Sequence, residues 1–308
     1  MAKDALDNAV DLISPSIKFA RNNFKDLFVK FFKVELVSSL AGIALFLLFS
    51  IIIMIPLLLF AGSLEKIPAS VIGSGTLGMF VLFVYAAIAI FIITWIQSAF
   101  SSTAVIITKE QFEGTYSGIW PIFHRIKFQA LSLLLARFLL VFAGVLIGLI
   151  LPIALIFFMP ESIISAIAIL FWIIYLILFL LAFAFLTQFW EWELFINRKG
   201  VIESLKASIS LARKNIIGVF VFDLLFVVAS IVIGIPFLIV YLIGETVFRV
   251  GVFASMSFSS WILLIPALII YIIFRAGLAF IQTAVDGALL NPYFYSFWKS
   301  LGPAKPSV

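Results

Sequence analysis

The stretch 163–186 reads IISAIAILFWIIYLILFLLAFAFL and contains no charged residue. An α-helix rises about 1.5 Å per residue, so roughly 20 apolar residues cross a hydrocarbon core about 30 Å thick. This stretch is therefore long enough to span a membrane. Five further apolar runs of the same kind occupy 36–60, 78–108, 128–159, 216–243 and 252–284.

The composition agrees with a membrane location. The chain of 308 residues is 65% hydrophobic and only 11% charged, with 36 phenylalanines, which lies outside the range of a soluble domain. Helices satisfy their backbone groups within one segment, as lipid requires, and the runs lack the two-residue alternation of barrel strands. We therefore expect an all-α, polytopic membrane protein with six transmembrane helices.

Lysine and arginine alternate between the two sides of these spans. Six precede the first span, the five connecting segments contain one, three, none, five and one, and the tail contains two. The positive-inside rule then predicts a multi-pass protein of the cell membrane with both termini in the cytoplasm. The net charge of +5 is assigned to a basic rim that contacts membrane lipids, and no nucleic-acid partner is expected.

Three parts of the chain are predicted. In 1–33, apolar residues recur every three or four positions, and Ser14-Pro15 is typical of a helix start, so we expect two amphipathic cytoplasmic helices there, the second continuing into the membrane. Residues 34–290 should form the six-helix bundle. In 291–308, aromatic residues flank Lys299, which predicts an interfacial aromatic segment and a flexible tail.

An internal repeat is one explanation of several recurring features. The segment 208–215, SISLARKN, resembles 16–23, SIKFARNN, and each precedes an odd-numbered span. The odd spans contain a proline toward their outer ends, and the even spans contain Gln97, Gln188 and Gln282 toward their inner ends. These features indicate three like-oriented hairpins. The alternative is that proline and glutamine occur independently in membrane helices.

A further amphipathic helix is predicted at 199–215, before the fifth span. Its predicted apolar face consists of Val201, Leu205, Ile209 and Ala212. Within the third span, the small residues Gly144 and Gly148 form a GxxxG pattern, which permits close helix packing inside the bundle or across a dimer.

Polar residues inside the apolar runs are the first place to look for function, because a charge there costs at least ~2.5 kcal/mol. Nearly all of them fall in the half predicted to face the cytoplasm, which predicts a polar cleft on that side. Its candidate residues are Arg137, Asp223, Arg275, Gln97, Gln188, Gln282, Glu191 and Asp286. Arg137 and Asp223 are expected at similar depth and as a pair. Alternatively, the arginines extend toward the membrane surface and the glutamines join helices.

Features of an enzyme are missing from the sequence. It contains no cysteine and a single histidine, His124, and no Walker A or GxGxxG pattern. We therefore expect no catalytic residues, no metal site and no cofactor.

The segment 198–215, RKGVIESLKASISLARKN, resembles the G-V-x-E-S-L-K-x-S-x-x-L-x-R-x-N signature of a family of uncharacterised six-helix prokaryotic membrane proteins, largely archaeal. These are similar to the membrane domain attached to some glycerophosphodiester phosphodiesterases. The resemblance implies a six-helix membrane domain. It implies no activity, because the metal-binding acids and histidines of the catalytic barrel have no counterpart here.

We expect the protein to have a non-enzymatic function. The first hypothesis is a protein whose cytoplasmic cleft binds a lipid or small solute, as a transporter or channel-like component. The second is a scaffold, assembly factor or insertase-like protein that recruits a protein partner, or a second copy of itself, through its amphipathic helices. An enzyme acting on lipids is the third, for which the sequence offers no acid–base or metal cluster.

Overall fold

The computed structural model describes residues 9–61, 75–158, 163–257 and 261–302. Within these ranges the regular structure is helical and there is no strand, so the all-α prediction is confirmed. Six helices are long: α1 (Ile13–Ala61), α2 (Gly75–Glu113), α3 (Ile119–Phe158), α4 (Ile163–Thr187), α7 (Ile216–Ser257) and α8 (Trp261–Ser300). Two short helices, α5 (Trp190–Phe195) and α6 (Val201–Lys214), separate α4 from α7. The first eight residues and most of the predicted tail lie outside the described residues.

Each of the six long helices contains a segment that is long and apolar enough to cross a membrane. These segments lie within Ala9–Ile52, Ala87–Glu113, Ile119–Ala154, Ala166–Phe195, Ile216–Val250 and Leu268–Ser300. This supports a multi-pass membrane protein. The helices extend beyond the predicted spans: α1 has 49 residues and continues without a break past residue 33, where the sequence analysis placed the start of the bundle.

The buried residues concentrate at one end of the bundle, which we call the packed end. It comprises the N-terminal parts of α1, α3 and α7, the C-terminal parts of α2, α4 and α8, and all of α5 and α6. Leu27, Ile107 and Trp190 form part of one buried cluster, and Phe222 and Phe297 form part of another. This is the end that the sequence assigns to the cytoplasm.

The other half of the bundle exposes apolar side chains. In α4, none of the residues in the most apolar stretch is buried. Such surfaces are suited to contact with lipid acyl chains, because water would make their exposure unfavourable. The main contacts between described helices follow the order α4, α3, α2, α1, α8 and α7, while α6 contacts both α4 and α7 at the packed end.

The aromatic residues near the end of α8 are covered by protein. Tyr293, Tyr295, Phe297 and Trp298 are all buried in the packed end. The ring of Phe297 stacks on Phe222 with centroids 4.3 Å apart. Neighbouring helices supply the aromatic partners that cover these rings, and sequence spacing cannot show that. An interfacial position of this segment stays a prediction.

The buried face of α6 contains two serines beside residues of the predicted apolar face. Its fully buried residues are Ser204, Ser208, Leu211 and Ala212, while Val201 and Leu205 are partly buried and pack against the first buried cluster. Hydrogen bonds explain the burial of the serines: Ser208 Oγ donates to the carbonyl of Leu186 at 2.8 Å, and the indole of Trp190 donates to Ser204 Oγ at 3.0 Å.

Candidate functional site

The break between α4 and α5 determines where several predicted site residues lie. α4 ends at Thr187 and α5 begins at Trp190. Arg137 Nη1 donates to Glu191 Oε1 at 2.6 Å, whereas Gln188 Nε2 donates to Asp223 Oδ2 at 3.5 Å. The predicted pairing of Arg137 with Asp223 is therefore wrong. The break places Glu191 next to α3 and Gln188 next to α7, which supplies each charged residue with a different partner.

A buried ion pair holds the segment that follows α5. The side chain of Glu193 is fully buried, and Lys199 Nζ donates to its Oε2 at 2.5 Å. Asn197 Nδ2 donates to the same oxygen at 3.0 Å, and the indole of Trp298 donates to Oε1 at 3.2 Å. Both carboxylate oxygens therefore have protein partners, and this pair has a structural role in joining α5 to α8.

Two of the predicted glutamines lie next to glycines of the preceding odd-numbered span. A Cβ atom placed on Gly42 of α1 would lie 3.5 Å from Nε2 of Gln97 in α2. A Cβ atom placed on Gly234 of α7 would lie 3.8 Å from Nε2 of Gln282 in α8. In both hairpins, the glycine lets the amide side chain approach the neighbouring helix closely.

Arg275 and Gln282 share a cavity between α7 and α8, with a volume of about 340 Å³. The guanidinium carbon of Arg275 lies 5.0 Å from the ring centroid of Tyr241 and 5.6 Å from that of Tyr271. These are cation–π distances. Within the described residues, Arg275 has no hydrogen-bond acceptor and no ion pair.

An apolar cavity of about 500 Å³ adjoins this site along the same two helices. Tyr271 lines the apolar cavity, and its ring centroid lies 5.6 Å from the guanidinium carbon of Arg275, which lines the other. We call the two cavities together the α7–α8 groove. The apolar part is lined by Val240, Ile243, Gly244, Val247, Phe248, Ile270, Tyr271 and Phe274.

Glu245 interacts electrostatically with Arg275 but forms no ion pair with it. Glu245 accepts a hydrogen bond from Arg249 Nε at 2.9 Å and another from the hydroxyl of Tyr271. Its carboxylate is therefore already paired with another arginine. The groove region contains two arginines and one glutamate, and the unpaired positive charge is that of Arg275.

Comparison with known protein families gives one match. A family described as a domain of unknown function, DUF7847, matches residues 122–285, which is more than half of the chain. The chain belongs to the DUF7847 family. The matched DUF7847 segment begins in α3, ends in α8 and contains Arg137, Asp223 and Arg275. No curated protein and no solved structure matches the chain.

Asp286, the last predicted site residue, lies just beyond the DUF7847 segment in α8. Its Oδ1 atom is buried and has no hydrogen-bond partner in the described part of the chain. The structure thus places the eight predicted residues in several separate sets of contacts, and only Arg275 and Gln282 line one of the described cavities together.

A second polar cavity, which the sequence analysis missed, lies at the packed end. We call it the basic cavity; its volume is about 500 Å³, and it lies between α2, α3 and the segment after α5. Three cations line it: Lys109, Arg125 and Arg198. Arg125 and Arg198 lie within the DUF7847 segment. In the sequence, these cations indicate only the topology. No spacing signal could place Arg198 beside Lys109 and Arg125, because it lies more than 70 residues further along the chain.

The turn between α2 and α3 borders the basic cavity and contains Tyr116. Lys30 Nζ lies 4.0 Å from the centroid of its ring. Burial, together with the neighbouring carboxylates of Asp26 and Glu110, raises the pKa of Tyr116. This phenol therefore stays protonated and neutral at physiological pH.

Proposed function

We propose that this DUF7847 protein is a non-enzymatic membrane protein that binds an anionic lipid in the α7–α8 groove. In this proposal, the lipid phosphate lies against Arg275 and Gln282, and an acyl chain occupies the apolar cavity. The observation that supports it most directly is that Arg275 lines a cavity without any acceptor for its hydrogen bonds among the described residues.

The chemistry of the groove favours an anionic ligand. An arginine side chain presents five donors in a planar fork that matches phosphate and carboxylate oxygens. An unpaired charge in an apolar environment costs at least ~2.5 kcal/mol, and an anionic partner removes part of that cost. A phosphate next to Arg275 would satisfy both requirements.

The surroundings of the groove favour a lipid over a water-soluble solute. Ile243 and Ile270 line the apolar cavity, and their side chains are 59% and 68% exposed on the surface expected to contact acyl chains. A ligand that bridges this surface and Arg275 must be amphiphilic.

The placement in the membrane is part of the proposal. Because the basic segments flank the packed end, we place that end at the cytoplasmic surface of a prokaryotic cell membrane. The glycine–glutamine contacts of the first and third hairpins support a repeated hairpin design. Arg21 and Arg213 occupy the same position in the two similar segments. Gly42 lies 21 residues after Arg21, and Gly234 lies 21 residues after Arg213.

Lipid binding to the purified protein tests this function. Native mass spectrometry would compare retention of phosphatidylglycerol and phosphatidylcholine by the wild type and by the Arg275→Gln variant. We expect the wild type to prefer phosphatidylglycerol and R275Q to lose about tenfold in that preference, as removal of one charge-assisted hydrogen bond predicts. Arg213→Gln is the matched control, because Arg213 is exposed on α6 and lies away from the groove. Equal losses in R275Q and R213Q would contradict the proposal.

A scaffold remains the second candidate. The packed end is dense, and it exposes Ile202 on α6, whose side chain is 68% accessible in a helix otherwise packed against the bundle. A scaffold predicts a stoichiometric partner that co-purifies with the wild type and is lost in the Ile202→Ser variant. Lipid preference that depends on Arg275, with no such partner, would favour the lipid-binding function.

A further inference from the structure

Cations from two consecutive helices and from a segment distant in the chain converge on the basic cavity. Lys109 comes from the last turns of α2, Arg125 from the second turn of α3, and Arg198 from the segment between α5 and α6. Lys109 and Arg198 have no hydrogen-bond or ion-pair partner among the described residues. Their charges are therefore available to a ligand.

The buried glutamate of this cavity is already occupied by protein donors. Glu110 is 7% exposed, and its Oε1 accepts a hydrogen bond from Arg125 Nη2 at 2.8 Å. Its Oε2 accepts hydrogen bonds from the backbone N–H and the hydroxyl of Ser117, each at 2.9 Å. Glu110 thus neutralises Arg125 and fixes the turn after α2. The remaining charged lining residues, Lys109, Arg198 and Glu113, leave the cavity with an excess of positive charge.

The backbone around the cavity is held in conformations that side chains rarely adopt. Arg198 has a φ of +53°, the only positive φ of a non-glycine residue in the described ranges. Such a conformation costs on the order of 1–3 kcal/mol and persists when its surroundings impose it. Here the next residue, Lys199, is anchored to buried Glu193. The anchoring of the adjacent backbone holds Arg198 at the cavity rim before any ligand arrives.

The turn between α2 and α3 adds one neutral donor to the cavity. Gly114 and Gly118 have φ values of +69° and +99°, and between them Thr115 and Ser117 line the cavity. The backbone N–H of Thr115 donates to the carbonyl of Glu110 at 2.9 Å, which closes the end of α2. The hydroxyl of Ser117 already donates to Glu110, whereas the hydroxyl of Thr115 has no partner among the described residues. This hydroxyl and the two unpaired cations are donors of the kind that phosphate oxygens accept.

We infer that the basic cavity is a second ligand site, separate from the α7–α8 groove, and that it binds a phosphate group through Lys109 and Arg198. A phosphomonoester has a charge of about −1.5 to −2 at neutral pH, which suits two unpaired cations better than a carboxylate does. Ile106, Ile126 and Phe195 form the apolar floor of the cavity. The phosphate could belong to a lipid headgroup or to a soluble phosphorylated molecule, and both share this chemistry.

Binding of two defined probes to the full-length protein tests the inference. Inorganic phosphate would be titrated calorimetrically into protein in a phosphate-free detergent micelle. Phosphatidic acid would be compared with phosphatidylcholine by native mass spectrometry. We expect Lys109→Gln and Arg198→Gln each to weaken phosphate or phosphatidic acid binding about tenfold or more. Lys206→Gln, which removes an exposed cation of α6, should stay within about twofold of the wild type because it lies outside the cavity.

The outcomes separate the two ligand sources and the two sites. Binding of both probes, or of inorganic phosphate alone, supports the site and indicates a soluble ligand; binding of phosphatidic acid alone supports it and indicates a lipid headgroup. The inference is overturned if the wild type binds neither probe or if K109Q and R198Q bind like K206Q. The R275Q variant should bind inorganic phosphate normally, so failure of the groove proposal would leave this result intact. Because Lys109 lies within a regular helix, K109Q keeps the test valid even if R198Q alters the local backbone.

Discussion

Removing Lys199 should destabilise the protein strongly, although the substitution lies away from both proposed ligand sites. Within the described residues, Lys199 is the only charged partner of Glu193, whose side chain is fully buried, and the side chain of Lys199 is only 11% exposed. Lys199→Met keeps the length and apolar stem of the side chain but leaves the carboxylate without a counter-charge. The hydrogen bonds from Asn197 and Trp298 remain and cannot neutralise it.

The expected loss of stability follows from the burial of the Lys199–Glu193 ion pair. Breaking a buried ion pair by removing one partner costs about 3–5 kcal/mol, because the remaining charge stays buried. An exposed pair such as Arg249–Glu245, whose arginine is 71% exposed, contributes about 0–1 kcal/mol. Replacing both residues, with Lys199→Met and Glu193→Gln together, removes the buried charge and keeps one acceptor oxygen, so that one of the donors of Asn197 and Trp298 is left unsatisfied, at a cost of about 1–3 kcal/mol.

Equilibrium unfolding in mixed micelles, followed by tryptophan fluorescence, measures these differences. We expect the free energy of unfolding to fall in the order wild type, double variant, K199M. Lys206→Met is the control, because Lys206 is exposed on α6, and it should change stability by less than about 0.5 kcal/mol. If K199M were as stable as K206M, or the double variant less stable than K199M, Glu193 would not be a buried, charge-paired carboxylate.

Three further predictions concern other parts of the molecule. A Cβ atom on Gly144 would overlap the ring of Phe179 in α4, whereas a Cβ atom on Gly277 would have no atom within 4 Å. Gly144→Leu should therefore lower the free energy of unfolding by about 1–3 kcal/mol, and Gly277→Leu should not. Equal effects of the two substitutions would contradict the packing of α3 on α4. Glu110→Gln should cost about 1–3 kcal/mol and speed hydrogen exchange in the turn that follows α2, and unchanged exchange would refute its role in fixing that turn. Because the chain contains no cysteine, single substitutions Lys18→Cys and Lys66→Cys report the topology without background labelling. In intact cells only K66C should react with a membrane-impermeant thiol reagent. Labelling of K18C would reverse the proposed orientation.

The helical architecture was predictable because it depends on composition and run length. Each apolar run is long enough to require a helix in lipid, and that requirement does not depend on partners. The packed end was less predictable. Rings such as Tyr293 and Trp298 are compatible with either an interfacial belt or a buried cluster, and only the positions of neighbouring helices decide between them.

The sequence predicts which polar residues lie within the apolar runs, but it does not predict which of them contact each other. Arg275 and Gln282 share a cavity because they lie two turns apart on one helix. Arg137 and Asp223 have different partners because α4 ends before Gln188, and no proline or glycine in 187–195 predicts that break. The basic cavity was not predicted because Arg198 is more than 70 residues from Lys109 and Arg125 in the chain.

A structure of the full-length protein in nanodiscs that contain phosphatidylglycerol tests the central claim most directly, since it shows what contacts Arg275. The account predicts density for a lipid phosphate within about 3 Å of the Arg275 guanidinium, with an acyl chain along the apolar part of the α7–α8 groove. A groove that is closed, or an Arg275 paired with a carboxylate of the protein in place of a lipid, would contradict it.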